Sequence, residues 1–319
     1  MLNNFHLAKY RLTFLPRDPL ALPVSNKGNT LRGAFGSVFK HIVCIDYKHD
    51  CRDCSLAPKC VYQLIFQPQI PPGASRLRKN QDIPRPFIIK PPLEPKKLYT
   101  PAEPLVFQII LVGLVTEYLP YFLVTFREMG LRGFGLNRAK AHLERVEAYL
   151  PKSRDWQEVY SGSDGLVKNL PAVWSSDQIC AEAQDLPKDS LTIHFLTPTR
   201  LVYEKQIVHR PEFHHLIKRL RDRINALAVF YCQDELKTDY KTLGKKAEQI
   251  RAIAQHTYWQ ELSRYSSRRE LTQDLSGFMG WATYEGSLEE FLPLLLIGEW
   301  IHVGKAALWG NGWLQILRH

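Results

Sequence analysis

LEEFLPLLLIGEWIHVGKAALWGNGWLQI, residues 288–316, is the stretch from which the rest of the chain can be read. Leu288 to Ile301 has the apolar content of a buried helix, with Ser287 and Glu290 spaced as a capping box and Pro293 inside the first turns. Gly304, Lys305, Gly310, Asn311 and Gly312 then make a glycine-rich loop, and Trp313 to Leu317 alternates as a short strand. Such a loop after a helix is a weak signal by itself, but this one has a relative in the first half of the chain. Glu117-Tyr118-Leu119-Pro120 is echoed by Glu290-Phe291-Leu292-Pro293. Each follows a strand-like run ending near a glycine, Val106 to Gly113 and Phe278 to Gly286. Each precedes apolar helix and then glycines, Gly130, Gly133 and Gly135 in the earlier copy. Internal repetition constrains architecture before any residue has a role. The repeat predicts two similar α+β units in tandem.

A chain of 319 residues, 45% hydrophobic, is long enough for about two domains with proper cores. No apolar run reaches the ~18 residues that span a bilayer, and the N-terminal sequence has no signal-peptide pattern. The expectation is a cytoplasmic protein without a membrane partner. Lys and Arg exceed Asp and Glu by 42 − 32 = 10, a balance that favours a polyanionic partner such as nucleic acid.

In the first unit, Phe5 to Phe14 alternates as a strand with a slip of register at Ala8-Lys9. Leu31, Ala34, Phe35, Val38, Ile42 and Val43 then form one stripe at helical period, with Gly33 and Gly36 off it and His41 at its edge. The two glycines weaken a helix by about 1 kcal/mol each, which points to close approach of a backbone or ligand, or to simple tolerance. Cys44, Cys51, Cys54 and Cys60 follow, a central C-x-x-C between two flanking thiols. Four thiolates on a short loop can close a structural zinc site, and an iron–sulfur cluster needs the same four; the bland reading is free thiols. Residues 68–104 hold ten of the 21 prolines, with seven cations between Arg76 and Lys97, and read as an exposed arm with a strand at Pro86 to Lys90. A strand (Val106 to Gly113), a helix (Glu117 to Met129) and a final strand (Arg138 to Tyr149) complete a domain over 1–150. Residues 151–187 read as a connector.

The second domain, 188–319, opens with a strand through Leu191, Ile193 and Phe195 that runs into Thr197-Pro198-Thr199-Arg200. An amphipathic helix starts after Pro211, and Leu275 to Tyr284 is a further strand. Between them, Trp259, Arg264, Tyr265, Arg268 and Arg269 interleave aromatic and basic side chains, the mixture that single-stranded RNA sites use.

Strand, helix, two strands, helix, strand, twice over, describes an α+β protein of two tandem ferredoxin-like (RRM-like) domains with a four-cysteine insertion in the first. In this setting the sequence resembles the CRISPR-associated repeat-RNA processing endoribonucleases of the RAMP superfamily. The resemblance is carried by Leu31-Arg32-Gly33, by Phe195 with Thr197-Pro198-Thr199-Arg200-Leu201, and by Ser276-Gly277-Phe278-Met279-Gly280. Above all it is carried by His302-Val303-Gly304-Lys305 with Leu308-Trp309-Gly310-Asn311-Gly312. It implies metal-independent cleavage of precursor CRISPR RNA within each repeat, by attack of a ribose 2′-hydroxyl on the neighbouring phosphate. It also implies a histidine at or just after the first helix, facing the glycine loop of the second domain. His49 and His41 both fit, with Lys48 or Tyr47 as charge stabiliser or orienting group. The glycine loop would grip RNA through Gly304, Lys305, Gly310, Asn311 and Gly312, helped by Arg268 and Arg269. Zinc on Cys44, Cys51, Cys54 and Cys60 would be structural only. The partners implied are CRISPR repeat RNA and other CRISPR effector subunits, with the chain a monomer or homodimer. The other reading is a non-catalytic RAMP subunit that holds guide RNA. A dinucleotide-binding reading fails, because this loop follows a helix and precedes a strand, the reverse of that fingerprint's order.

Overall fold

The computed structural model describes residues 2–46, 51–70, 83–168, 172–266 and 271–318. The chain forms two compact units, one of His6–Val173 with Phe230–Cys232, the other of Met1–Phe5, Trp174–Val229 and Gln233–His319.

The first unit contains β1 (His6–Pro16), α1 (Lys27–Val43), α2 (Val61–Phe66), β2 (Phe87–Lys90), β3 (Leu105–Val112), α3 (Leu119–Arg132), β4 (Ala141–Leu150) and β5 (Asp155–Ser161). Its sheet is ordered β2-β3-β1-β4-β5, all antiparallel. Without β5, this is the antiparallel order in which a strand–helix–strand unit is followed by its own repeat. Alternation along β1 sends Tyr10, Leu12 and Phe14 into the core, against helices α1 and α3. Phe35 of α1 lies 5.1 Å from Phe122 and 4.5 Å from Phe126 of α3, ring centroid to centroid. Each such buried ring stabilises the fold by about 1.5–3 kcal/mol. The predicted stripe on α1 is thus its core face. Gly36 meets Phe66, where an added Cβ would come within 2.9 Å of the ring, while Gly33 has nothing within 4 Å. The register shifts between Thr13 and Phe14, opposite a bulge in β4 where Glu144 is the extra residue, and not at Ala8-Lys9 as the alternation had suggested.

The second unit contains α4 (Ser176–Gln184), β6 (Ser190–Thr199), α5 (Phe213–Tyr231), α6 (Tyr240–Glu248), β7 (Arg251–Gln260), the small hairpin β8 (Ser263–Ser266) and β9 (Leu271–Asp274), β10 (Gly277–Glu285), α7 (Leu292–Ile301) and β11 (Leu314–Leu317). The sheet order β7-β10-β6-β11 matches β2-β3-β1-β4 strand for strand. The echo of Leu119-Pro120 in Leu292-Pro293 therefore has a structural meaning. Each pair opens the last helix of its unit after a 3-10 turn, with proline in the first turn, where its missing N–H costs no hydrogen bond. The capping box at Ser287 and Glu290 is not formed: α7 starts at Leu292, and Glu290 pairs with Lys246 at 2.7 Å. The expected connector, 151–187, holds the edge strand β5 of the first unit and α4 of the second. Ser175 and Gln178 cap α4 reciprocally, a capping box outside the expected elements. Among the described residues no helix is long and apolar enough to cross a membrane.

Candidate nucleic-acid interface

The glycine loop starts where α7 ends, at His302. This residue has φ 63° and ψ 172°, a region that glycine occupies almost exclusively, at a cost of about 1–3 kcal/mol for other residues. At the equivalent end of α3 the residue is Gly133. His302 is held there by burial. Its Nδ1 donates to the Asn311 carbonyl at 3.2 Å, and its ring stacks on Trp313 at 5.6 Å between centroids.

The loop is pinned to the end of β6. Gly312 N–H donates to the Pro198 carbonyl at 3.1 Å, Lys305 N–H to Arg200 at 3.1 Å, and Val303 N–H to Gly312 at 2.9 Å. Gly310 N–H donates to Ala307 at 3.1 Å. The backbone donors of Gly310 and Gly312, which the sequence suggested would meet phosphates, are turned inward. The glycines are needed for packing: a Cβ on Gly304 would lie 2.4 Å from the Arg200 carbonyl oxygen, and one on Gly312 1.8 Å from that of Val303. Asn311 is buried, its Nδ2 donating to the Leu275 carbonyl at 3.2 Å. What the loop presents outward is the exposed Lys305.

Thr197 fastens the other side. Its Oγ1 donates to the Gly310 carbonyl at 2.8 Å and accepts from Trp313 N–H at 2.9 Å. Thr197→Val keeps the shape but leaves two buried backbone groups without this partner, so a loss of about 2–3 kcal/mol is expected, read as the urea midpoint.

Just past Arg200 lies a cluster of titratable rings. Tyr203 is 5.1 Å from His214 and 4.6 Å from His215, and Lys218 Nζ donates to Glu248 at 2.6 Å and to Tyr203 at 3.3 Å. His215 Nδ1 accepts from Glu212 N–H at 3.2 Å, which requires a neutral ring. Burial, then the neighbouring His214 and Lys218, push the His215 pKa down from 6.5 to about 4. The unfolded chain therefore takes up this proton first as pH falls. Stability should be full above about pH 6.5 and decline from there towards pH 4. Urea midpoints at pH 7 and 5 check this, and His215→Asn should flatten the slope.

His41 lies in the last turn of α1, exposed, with Nδ1 donating to the Ser37 carbonyl at 2.9 Å. His49 and Lys48, like Arg268 and Arg269, lie outside the described residues. The four cysteines form no disulfide among the described residues and are carried on separate short segments. Cys44 ends α1, its N–H donating to Lys40; Cys51 is buried, its carbonyl accepting from Gln63 Nε2 at 2.7 Å; Cys60 precedes α2. Among the described residues no group of three or more His, Cys, Asp or Glu is placed to hold a metal ion. This arrangement gives the zinc or iron–sulfur reading from their spacing no support.

Two further clusters escaped the sequence reading. On the first sheet, Lys9 Nζ lies 3.9 Å above the Tyr149 ring and the Arg11 guanidinium 4.5 Å above Trp156, while Arg11 makes a two-pronged pair with Glu147. On the second, His194, Trp281 and His256 lie side by side on neighbouring strands. Both consist of alternate residues on different strands, so only the register could have grouped them.

Comparison with known proteins agrees with this layout. Residues 5–172 match the AF_1859_N family model, an N-terminal domain, and residues 193–314 match the model of the CRISPR-associated endoribonuclease Cas6. An uncharacterized protein of Archaeoglobus fulgidus is 26% identical over 293 residues, 91% of each chain. Among solved structures, Thermus thermophilus Cas6 (TTHB231) superposes with a TM-score of 0.54 at 16% identity, over 98% of this chain and 99% of that one. The product complex of Cas6 (TTHB231) gives 0.58 at 17% identity, over 98% and 99%. A partial Cas6-RT-Cas1–Cas2 complex gives 0.59 at 12% identity, over 99% of this chain and 47% of that one. At such identities the likeness to the solved structures is one of fold. The chain belongs to the AF_1859_N family through its first half; its second half matches the Cas6 domain model, and its tandem fold is similar to that of solved Cas6 structures.

Proposed function

We propose that this protein binds CRISPR repeat RNA and cleaves precursor CRISPR RNA within the repeat. The observation that carries the reading is the glycine loop. It lies inside the Cas6-matching stretch, is pinned to β6, and offers Lys305 to solvent on a chain with net charge +10. A polyphosphate chain is the partner that such a loop and such a charge suit.

The reaction is transesterification. A neutral imidazole takes the proton of a ribose 2′-hydroxyl, and the oxygen attacks the adjacent phosphorus. The bond to the 5′ oxygen breaks, and that oxygen leaves with a proton from a second donor. The products are a 2′,3′-cyclic phosphate and a 5′-hydroxyl. Charge on the pentacoordinate phosphorus is met by a cation, a role open to Lys305 or Lys48. His41 and His49 are the candidates for the imidazole. Because His41 Nδ1 donates to Ser37, its neutral ring would accept a proton at Nε2.

The test is incubation of the purified chain with its own repeat RNA in EDTA. Products ending in a cyclic phosphate, formed at an undiminished rate, support the reading. Tight, salt-dependent RNA binding without cleavage would favour instead a RAMP subunit that holds guide RNA in an effector complex.

A further inference from the structure

We propose that the open face of the β7-β10-β6-β11 sheet is a stacking platform for single-stranded RNA leading away from the glycine loop. This rests on the RNA-processing reading above.

One face of the sheet is covered. Ile193, Phe195, Ala282, Tyr284, Leu314 and Ile316 are buried on it; Phe213 of α5 packs 5.2 Å from Tyr284, and Gly298 of α7 sits against Leu314. The alternate residues point the other way. Register places Gln315, His194, Trp281 and His256 in one row across the four strands, and Tyr258 opposite Met279 in the next. Trp281 is 37% exposed and Tyr258 51% exposed. Wide aromatic faces are left in water on two adjacent strands, which is costly unless something stacks there. Bases stack on such side chains regardless of sequence, and a four-stranded sheet presenting aromatics from neighbouring strands is a known way to hold about two or three of them.

Two observations name RNA as the occupant. The first is charge. Among the residues of these four strands the only carboxylate is Glu285, and it is paired with Arg251 at 2.8 Å. A phosphate backbone crossing these strands meets no unpaired acid on them. The second is continuity. From His194, β6 runs through Leu196, whose N–H donates to the Trp313 carbonyl at 2.8 Å, to Pro198 and Arg200, which hold the glycine loop and its exposed Lys305. That path is about 20 Å of strand, so a strand gripped at Lys305 would lay its next bases over Trp281 and Tyr258.

The experiment is anisotropy titration of the full chain with a fluorescein-labelled ten-nucleotide oligouridine at several salt concentrations. Trp281→Ala and Tyr258→Ala should each weaken binding by roughly 5- to 100-fold, while Trp281→Phe keeps most of the affinity. The slope of affinity against salt should not change in these variants, because no phosphate contact is lost; Lys305→Ala should lower it by about one. Wild-type binding with both alanine variants unaffected overturns the platform alone, as does a Trp281→Phe variant as weak as Trp281→Ala. A wild-type chain that binds no RNA overturns the RNA reading and this inference with it.

Discussion

Gly312→Ala should unfold the glycine loop. At φ +69° an alanine is disfavoured by about 1–2 kcal/mol. Here the added Cβ would also lie 1.8 Å from the Val303 carbonyl oxygen, a backbone atom that cannot rotate away. Relief requires moving one strand of the loop from the other, which breaks the bonds from Val303 N–H to Gly312 and from Gly312 N–H to Pro198. Strain, overpacking and the lost bonds together give a destabilisation of about 3–5 kcal/mol, or a fall in Tm of roughly 6–20 °C. Gly165→Ala is the matched control. It has the same φ of +69° with nothing within 4 Å of its would-be Cβ, so it should lose only the conformational part, about 1 kcal/mol. Thermal unfolding of the two variants side by side separates clash from dihedral strain. Equal losses would show that the loop gives way without cost and that its tight packing against β6 is not what holds it.

This loop also marks where sequence was sufficient and where it was not. The tandem architecture was legible because Leu119-Pro120 and Leu292-Pro293 recur with the same elements around them, and the same helix opening recurs in space. Core strands such as β6 were legible because alternate residues are buried. Strand β7 was not. It is an edge strand with none of its residues buried, so the period-2 contrast that identifies a half-buried strand is missing, and Trp259 was read as part of an aromatic and basic surface. In the structure the Trp259 ring lies tilted against His209, 4.4 Å between centroids, on the helix side of the sheet. The glycines of the loop were singled out as a cradle for phosphates, and the structure gives them a packing role. Sequence cannot distinguish a glycine that admits a ligand from one that admits the chain's own backbone, and Gly304 and Gly312 do the second. The cysteine spacing falls short for a related reason. Four thiols within 17 residues satisfy a ligand count, but coordination needs four directions to converge, and spacing carries no direction.

The second large effect concerns the imidazole. If one of His41 and His49 is the base, its replacement by alanine should slow cleavage of repeat RNA by about 10²–10⁴-fold, while RNA affinity stays near wild type. The other substitution should leave the rate unchanged. The His41 side chain is exposed and its hydrogen bond to the Ser37 carbonyl is local to the helix, so the Tm of His41→Ala is to be measured beside its rate. A slow His41→Ala variant with a wild-type Tm would report chemistry and not misfolding. The decisive readout is the pH–rate profile, since removing a general base erases the limb on which activity rises with pH, whereas a positioning residue lowers the whole curve and keeps its shape. His41→Gln sharpens the test further, because it retains a polar side chain of similar reach without a proton acceptor of imidazole strength. Cleavage at wild-type rate in both alanine variants would remove these histidines from the mechanism and turn attention to Lys48, whose alanine variant would then be expected to carry the loss.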